Sequence, residues 1–371
     1  MKKKILLSAN SYWNLFNFRQ ELIKNLHSNK NYELHLLAPP DHKINFFKQM
    51  GCKCHIINYK RNKKNFFESI KIFFIYLNFV KKIKPSIFLP FTIKPNIFGS
   101  LACQFLTVPV VNNITGLGSG FLNSNILRIC LIFLYKIALK KSKTIFFHNQ
   151  SDRNYFIQKK IINLKNQKAI VLPGSGINTD YFKVPLKKIK SRINFLYVGR
   201  LIRDKGIFEL FESIKKIKKF FRHIDFTIVG NVDKENLFPI LKSDLDLMIK
   251  KKLIKYYKFN DKVIGYYKKA DCFVMPSYRE GLSRSLLEAA SCSLALIATD
   301  VPGCRELVRK NYNGFLCNPK DSSSLYSAIK KFIKLSKVRK KKFKINSRKL
   351  VVKKYNVRIV IKKYINEISK A

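Results

Sequence analysis

The chain has 371 residues, enough for two domains at roughly 100–200 residues each. Lys and Arg number 74 against 22 Asp and Glu, a formal net charge of +52, yet 47% of the residues are hydrophobic and 13% aromatic. That excludes a disordered polycation, which lacks the apolar surface to offset the entropy of ordering. Lys, Asn, Ile and Phe crowd the sequence, while Gly (14), Pro (12) and Trp (1) are scarce. Coding bias toward A/T-rich codons accounts for most of the charge better than a polyanionic ligand does.

The basic start, Met1 to Lys4, leads into Ile5-Leu6-Leu7 and stops at Ser8. That run is too short for a signal-peptide core and reads as a first strand. Strand-like runs follow at Glu33–Ala38, Cys54–Asn58, Ile87–Pro90, Val110–Asn113, Thr144–Phe147 and Ala169–Leu172, with helical patterns at Phe18–Leu26 and Phe66–Ile83. The rhythm then restarts. Phe195–Val198, Phe226–Val229, Lys262–Ile264, Cys272–Met275, Leu296–Ala298 and Gly314–Leu316 read as strands. Ile207–Phe220, Arg284–Ala290, Ser322–Lys334 and Val357–Ile368 read as helices. Two rounds of β-then-α alternation predict an α/β chain of two parallel-sheet domains. The expected boundaries are 1–172, a Gly- and Pro-containing linker over 173–191, a second domain over 192–335, and terminal helices over 336–371.

Eight cysteines show only one close pair, Cys52-x-Cys54, a poor zinc or redox signal. They read as small buried hydrophobes in a reducing, cytosolic setting. The two most apolar windows, Phe66 to Val80 and Ile126 to Leu139, contain Glu68, Lys71, Arg128 and Lys136. They predict buried or membrane-surface helices rather than spans.

Ligands of open parallel sheets sit beyond the carboxyl ends of the strands, so the loops there carry the chemistry. Pro276 to Ala290 (PSYREGLSRSLLEAA) follows an apolar strand, turns at Gly281 and starts a helix at Ser283, a suitable N-cap. A helix N-terminus suits a pyrophosphate. Glu280 and Glu288 stand eight residues apart, about 12 Å along a helix, the span from sugar to ribose across a diphosphate. On spacing alone they fit solvated positions on an amphipathic helix as well. Phe195 to Gly206 (FLYVGRLIRDKG) is a strand, the Gly199 turn and a helix start, with Arg200 and Lys205 placed to neutralise phosphates.

Weaker signals read as structural. Asp244-Leu245-Asp246 spells D-x-D but sits in a polar helical insert. Gly116-x-Gly118-x-Gly120 lacks the context of a dinucleotide fingerprint and would let backbone approach an acceptor. The six histidines have no metal-ligand spacing, and no G-x-S-x-G is present.

The two loops together resemble the nucleotide-sugar-binding half of the GT-B glycosyltransferases, in particular the retaining glycosyltransferase family 4. Glu280 to Glu288 matches its E-x7-E element, and Gly199 to Gly206 its Gly-Arg-x4-Lys-Gly element. Val171 to Asn178 is similar to the family's N-P-G-x-G-[VI]-D linker, Ala298 to Glu306 to its T-x-x-x-G-x-x-E loop, and Asn313 to Pro319 to its N-G-[FL]-L-x-x-P strand. Phe91 to Gly99 and Asn113 to Gly118 resemble bacterial members that act on polyprenyl-diphosphate-linked saccharides. The likeness runs over nearly the whole chain and is densest from Gly199 to Pro319. Departures are Ser175 before Gly176, Asn178 for Asp, and Ser293-Leu294-Ala295 where Gly-x-Pro is expected. Many relatives carry a His within the Asn113–Gly116 loop. This chain has none there, and His148 is the nearest substitute.

The resemblance implies two Rossmann-like domains facing across a cleft, with the last helix crossing back to the first domain. It implies transfer, with retention, of a hexose or N-acetylhexosamine from a UDP-sugar to a lipid-linked saccharide in cell-surface glycan synthesis. Glu280, Arg200 and Lys205 would be catalytic. Gly199, Gly281, Leu282, Ser283 and Glu288 would bind the donor. Asn14, Lys94, Thr115, Gly116, Gly118 and His148 would lie on the acceptor side. Neither metal nor cofactor is expected, nor a nucleic-acid partner. An anionic membrane surface is the expected docking partner, with the protein cytoplasmic and peripheral at the inner face. The alternatives are a GT-B hexosamine epimerase and a basic nucleic-acid binder.

Overall fold

The structure, a computed structural model, describes residues 2–59, 66–118, 121, 125–186, 192–233 and 239–370, without the side chains of residues 66 and 67. Gly120 and the last part of the expected linker, 187–191, lie outside the described residues. The chain forms two compact units, one of Met1–Ser175 with Val357–Ala371, the other of Gly176–Asn356.

In the first unit the elements run β1 (Lys3–Ser8), α1 (Tyr12–His27), β2 (Tyr32–Ala38), α2 (Ile44–Gln49), β3 (Lys53–Ile56), α3 (Phe66–Ile83) and β4 (Ile87–Pro90). A π-helical turn (Pro95–Gly99) then leads to α4 (Ser100–Phe105), β5 (Val111–Ile114), α5 (Asn125–Ala138), β6 (Thr144–Phe147), α6 (Gln150–Gln158) and β7 (Lys168–Val171). Strands β3-β2-β1-β4 and β5-β6-β7 pair in parallel. Bridges Phe88–Val110 and Phe91–Asn113 join the two sets. β1 explains the unbroken apolar run. Ile5 and Leu7 face the core under α1, while Leu6 faces Ile72, Tyr76 and Val80 of α3. A strand buried on both faces has no polar side to alternate with.

The second unit runs β8 (Ile193–Val198), α7 (Ile207–Phe220), β9 (Ile224–Val229), α8 (Lys242–Lys250), β10 (Lys255–Tyr257), α9 (Ile264–Lys269) and β11 (Cys272–Met275). It continues with α10 (Arg284–Ser291), β12 (Ala295–Thr299), β13 (Gly314–Cys317), α11 (Ser322–Lys334) and α12 (Lys337–Lys354). Its parallel sheet has the order β10-β9-β8-β11-β12-β13 over one continuous core. α12 thus belongs to this unit, and only α13 (Val357–Ser369) joins the first, where Val360, Tyr364 and Ile368 pack beneath β1.

One expected strand is corrected. Lys262–Ile264 is a turn into α9, and the edge strand is Lys255–Tyr257, paired with β9. The Asn260 side chain accepts the Lys262 N–H at 3.0 Å, an Asx turn that takes the donor a ladder would need. Buried Val263 supplied the misleading apolar signal. The D-x-D residues lie on α8, with Leu245 inward and Asp246 exposed. Among the described residues no helix is long and apolar enough to cross a membrane.

Two of the departures from the family pattern have visible substitutes. The Asn178 amide oxygen accepts the N–H groups of Asp180 and Tyr181 at 3.1 and 3.0 Å, as a carboxylate would. Ser293 adopts φ 57°, a left-handed conformation that favours glycine. It closes α10, with the Ser293 N–H on the Ala290 carbonyl and the Leu294 N–H on the Ala289 carbonyl.

Candidate functional site

Strand order locates the ligand side of each sheet. In the second unit the order reverses between β8 and β11, so the crevice lies beyond their carboxyl ends. The loops there are Gly199–Gly206 and Pro276–Ser283, the two singled out from sequence. They pack on each other. The Tyr278 N–H donates to the Asp204 carbonyl at 2.9 Å. Gly206 has φ 68°, and a Cβ there would lie 2.0 Å from the Pro276 carbonyl oxygen, so only glycine lets the loops meet. A second turn supports them from behind. The Glu280 N–H donates to Pro302 and the Ser283 N–H to Gly303, at 3.1 and 3.0 Å.

This framework brings Lys205 and Glu280 together. Their ion pair is mostly buried, and Ser277 donates to the same carboxylate oxygen at 2.8 Å. Arg200 stands apart from them. It pairs with Asp233 at 2.8 Å, and its side chain is 44% exposed. The Arg200 carbonyl accepts from the buried Tyr197 hydroxyl at 2.8 Å, which fixes the turn after β8. Ser283 caps α10, its hydroxyl accepting the Leu286 N–H. Gly281 and Leu282 form the turn before it.

Glu288 lies one turn and a half into α10 and is 6% exposed. Arg284, four residues earlier, donates to one oxygen at 2.9 Å and Tyr267 donates to the other at 2.9 Å. Arg284 also bonds the Gly176 carbonyl at 2.8 Å. Burial, and next the Glu288 charge, push the Tyr267 phenol well up, so it remains a donor. Glu280 and Glu288 therefore differ from a solvated helix face. Both carboxylates are held by fixed partners, Glu280 in the loop before α10 and Glu288 on the helix itself.

In the first unit the order reverses between β1 and β4. Asn14 lies in the first turn of α1, after β1, its N–H on the Ser11 hydroxyl at 3.0 Å. Lys94 follows β4, with its ammonium 4.7 Å above the Tyr59 ring, and burial lowers its pKa. Thr115, Gly116 and Gly118 follow β5, the glycines at φ 146° and 71°. His148 directly follows β6 and is bonded to Arg19 at 3.2 Å. Arg19 is a donor only, so the bonded Nε2 of His148 is the acceptor and Nδ1 carries the proton. Burial, and then Arg19, push the His148 pKa well down, which keeps the ring neutral.

Sequence reasoning missed Tyr267, Asp233 and Arg19, and assigned no role to Arg284. Two had readable signals. Arg284 is an i,i+4 partner of Glu288. Arg19 is a cation at a core position of α1, in line with Leu15, Leu22 and Ile23. Asp233 and Tyr267 reach the site through tertiary packing and had none.

The family model for glycosyl transferases group 1 matches residues 179–350, and that for glycosyl transferase 4-like domains matches residues 4–149. The chain belongs to the GT-B glycosyltransferases. Among curated relatives, this glycosyltransferase is 25% identical to N,N'-diacetylbacillosaminyl-diphospho-undecaprenol alpha-1,3-N-acetylgalactosaminyltransferase of Campylobacter jejuni over 342 residues, 88% of each chain. It is 26% identical to the capsular polysaccharide biosynthesis glycosyltransferase CapM of Staphylococcus aureus, over 89% of this chain and 88% of the relative. Among solved structures it superposes on HepE of Anabaena in complex with UDP-glucose with a TM-score of 0.78, at 16% identity, over 99% of this chain and all of the other.

Proposed function

We propose that this glycosyltransferase moves a hexose or N-acetylhexosamine from a UDP-sugar to a saccharide carried on a lipid diphosphate, with retention of configuration, in surface-glycan synthesis. The observation that carries the donor half is the Lys205–Glu280 pair beside the capped start of α10, with buried Glu288 further along the helix. A diphosphate seated at the helix start would draw Lys205 and Arg200 from their carboxylates onto phosphate oxygens. Glu280, released, would accept from sugar hydroxyls, and Glu288 would accept from the ribose. Gly199, Gly281, Leu282 and Ser283 would supply close backbone. As the glycosidic bond to UDP breaks, charge grows on the β-phosphate. The two cations, once drawn onto the phosphates by donor binding, and the helix amides would stabilise it, and a bound metal is not required by that scheme.

The acceptor half rests on one relative whose name specifies a diphospho-undecaprenol acceptor and another named for capsular polysaccharide biosynthesis. Asn14, Lys94, Thr115, Gly116, Gly118 and His148 would face that acceptor. Neutral His148, its Nε2 taken by Arg19, would donate a hydrogen bond from Nδ1 rather than supply charge. The enzyme would work at the inner face of the cytoplasmic membrane.

The test is UDP release from a panel of UDP-sugars, with and without undecaprenyl-diphosphate saccharides, and the product's anomeric configuration by NMR. Acceptor-dependent release and a retained α-linkage support the proposal. Release of UDP with a modified free sugar and no acceptor would make the protein an epimerase.

A further inference from the structure

We propose that the outward face of α5 lies flat in the surface of an anionic bilayer and seats the first unit there. The inner face of α5 is filled in the usual way by Leu131, Tyr135 and Ala138. Its outer face is also apolar. Ile126, Ile129, Phe133 and Ile137 are 77%, 64%, 62% and 41% exposed. Their spacing of three, four and four residues makes one continuous stripe along the helix. Exposed Cys130 lies within it. A helix apolar on both faces at a protein surface lacks the polar side that water requires, so the stripe marks a contact. α4 packs against both α3 and α5, and it ends in Phe105, 73% exposed.

Charge selects the occupant. Between Glu68 and Asp152 the sequence has no acidic residue but ten Lys or Arg. Arg128 and Lys136 lie on α5, and exposed Lys140, Lys141 and Lys143 follow its end. Apolar side chains flanked by basic ones that reach past them are the pattern of a helix lying in a headgroup layer. Each such cation near an anionic surface adds attraction, and the effect fades with salt. A second copy is the poorer partner. A twofold contact would set this acid-free surface against itself. A spanning role is excluded because α5 covers only Asn125–Ala138.

Docking stands on the surface alone. One consequence rests on the proposed function. Gly116 and Gly118 come shortly before α5 (Asn125–Ala138) in the chain, so seating α5 would bring the proposed acceptor loop toward the surface where a lipid-linked diphosphate emerges.

The test is flotation with phosphatidylcholine vesicles, with and without phosphatidylglycerol, containing no saccharide lipid, so that its result is independent of turnover. The wild type should float with the anionic vesicles at low salt and be released by high salt. Ile129→Ser with Phe133→Ser should lower the bound fraction about tenfold. Phe220→Ser, at a 73% exposed phenylalanine of the second unit, should leave binding unchanged. A polarity-sensitive dye on Cys130 should shift blue on the same vesicles. Circular dichroism should show all variants folded, since the replaced side chains are exposed. A wild type left in the soluble fraction would overturn the proposal, as would a double variant that floats normally. So would sedimentation showing a dimer that the double variant dissolves while vesicles capture nothing.

Discussion

In the second unit each charged side chain proposed to touch the donor already faces its opposite: Lys205 meets Glu280, Arg200 meets Asp233, and Glu288 meets Arg284. In the first unit the cations of the corresponding crevice, Arg19 and Lys94, face aromatic rings, and Arg19 also an uncharged imidazole. Buried Arg19 lies 4.3 Å over the Phe91 ring and bonds an uncharged imidazole. Asn96, Asn112 and Asn113 interlock beneath, and the Asn113 side-chain oxygen accepts from Tyr364 of α13. The contrast teaches that the proposed donor side is a set of paired charges on neighbouring loops, while the proposed acceptor side is a buried network of polar side chains. Its external face is apolar.

The largest expected effect tests where the chemistry resides. Glu280→Gln and Lys205→Met should each lower kcat/KM by about 10²–10³, the usual loss when one preorganised electrostatic partner is removed. His148→Asn should cost at most about tenfold. Initial rates with a UDP-sugar check this, and the reverse ranking would move the chemistry to the first unit.

Acid should separate the units next. His35, His55 and His148, all in the first unit, have pKa values lowered chiefly by burial. The unfolded chain then binds more protons than the folded one once pH drops below about 6.5, so stability falls there as pH falls. The first unit should lose structure before the second on acidification. Hydrogen exchange read by unit measures it, and His148→Asn should flatten part of the slope.

Smaller effects grade the scaffolds. Arg284→Met leaves the buried Glu288 carboxylate with one fewer donor and should destabilise by about 2–3 kcal/mol. Tyr364→Phe removes one buried hydrogen bond to Asn113 and should cost about 1 kcal/mol. Ser293→Gly should stabilise by about 0.5–1 kcal/mol, because the left-handed φ strains serine. Urea midpoints give all three.

The legible parts of the sequence share a physical basis. Doubly buried strands such as β1, β8 and β11 contain the apolar runs Ile5–Leu7, Phe195–Val198 and Cys272–Met275, and the loops after β8 and β11 carry Gly, Arg, Lys and Glu at spacings that few other contexts produce. What was not legible depends on partners distant in sequence. Tyr267 on Glu288 and Asp233 on Arg200 join residues 21 and 33 positions apart. Lys262–Ile264 misled because three residues with one buried valine do not distinguish a strand from the entry to a helix. The net charge of +52 says little about the proposed donor site, which would draw only on Arg200 and Lys205 from that surplus. In the first unit the surplus acquires a meaning only beside the exposed stripe of α5.

The central claim is that the second unit holds a UDP-sugar between Lys205, Glu280 and Glu288. Calorimetric titration of UDP-sugars into wild type and Glu288→Ala tests it most directly. A wild type that binds one UDP-sugar, with affinity falling about 10–100-fold in the variant, is the predicted result. Equal affinity in both proteins, or no binding of any UDP-sugar by the folded wild type, would contradict it.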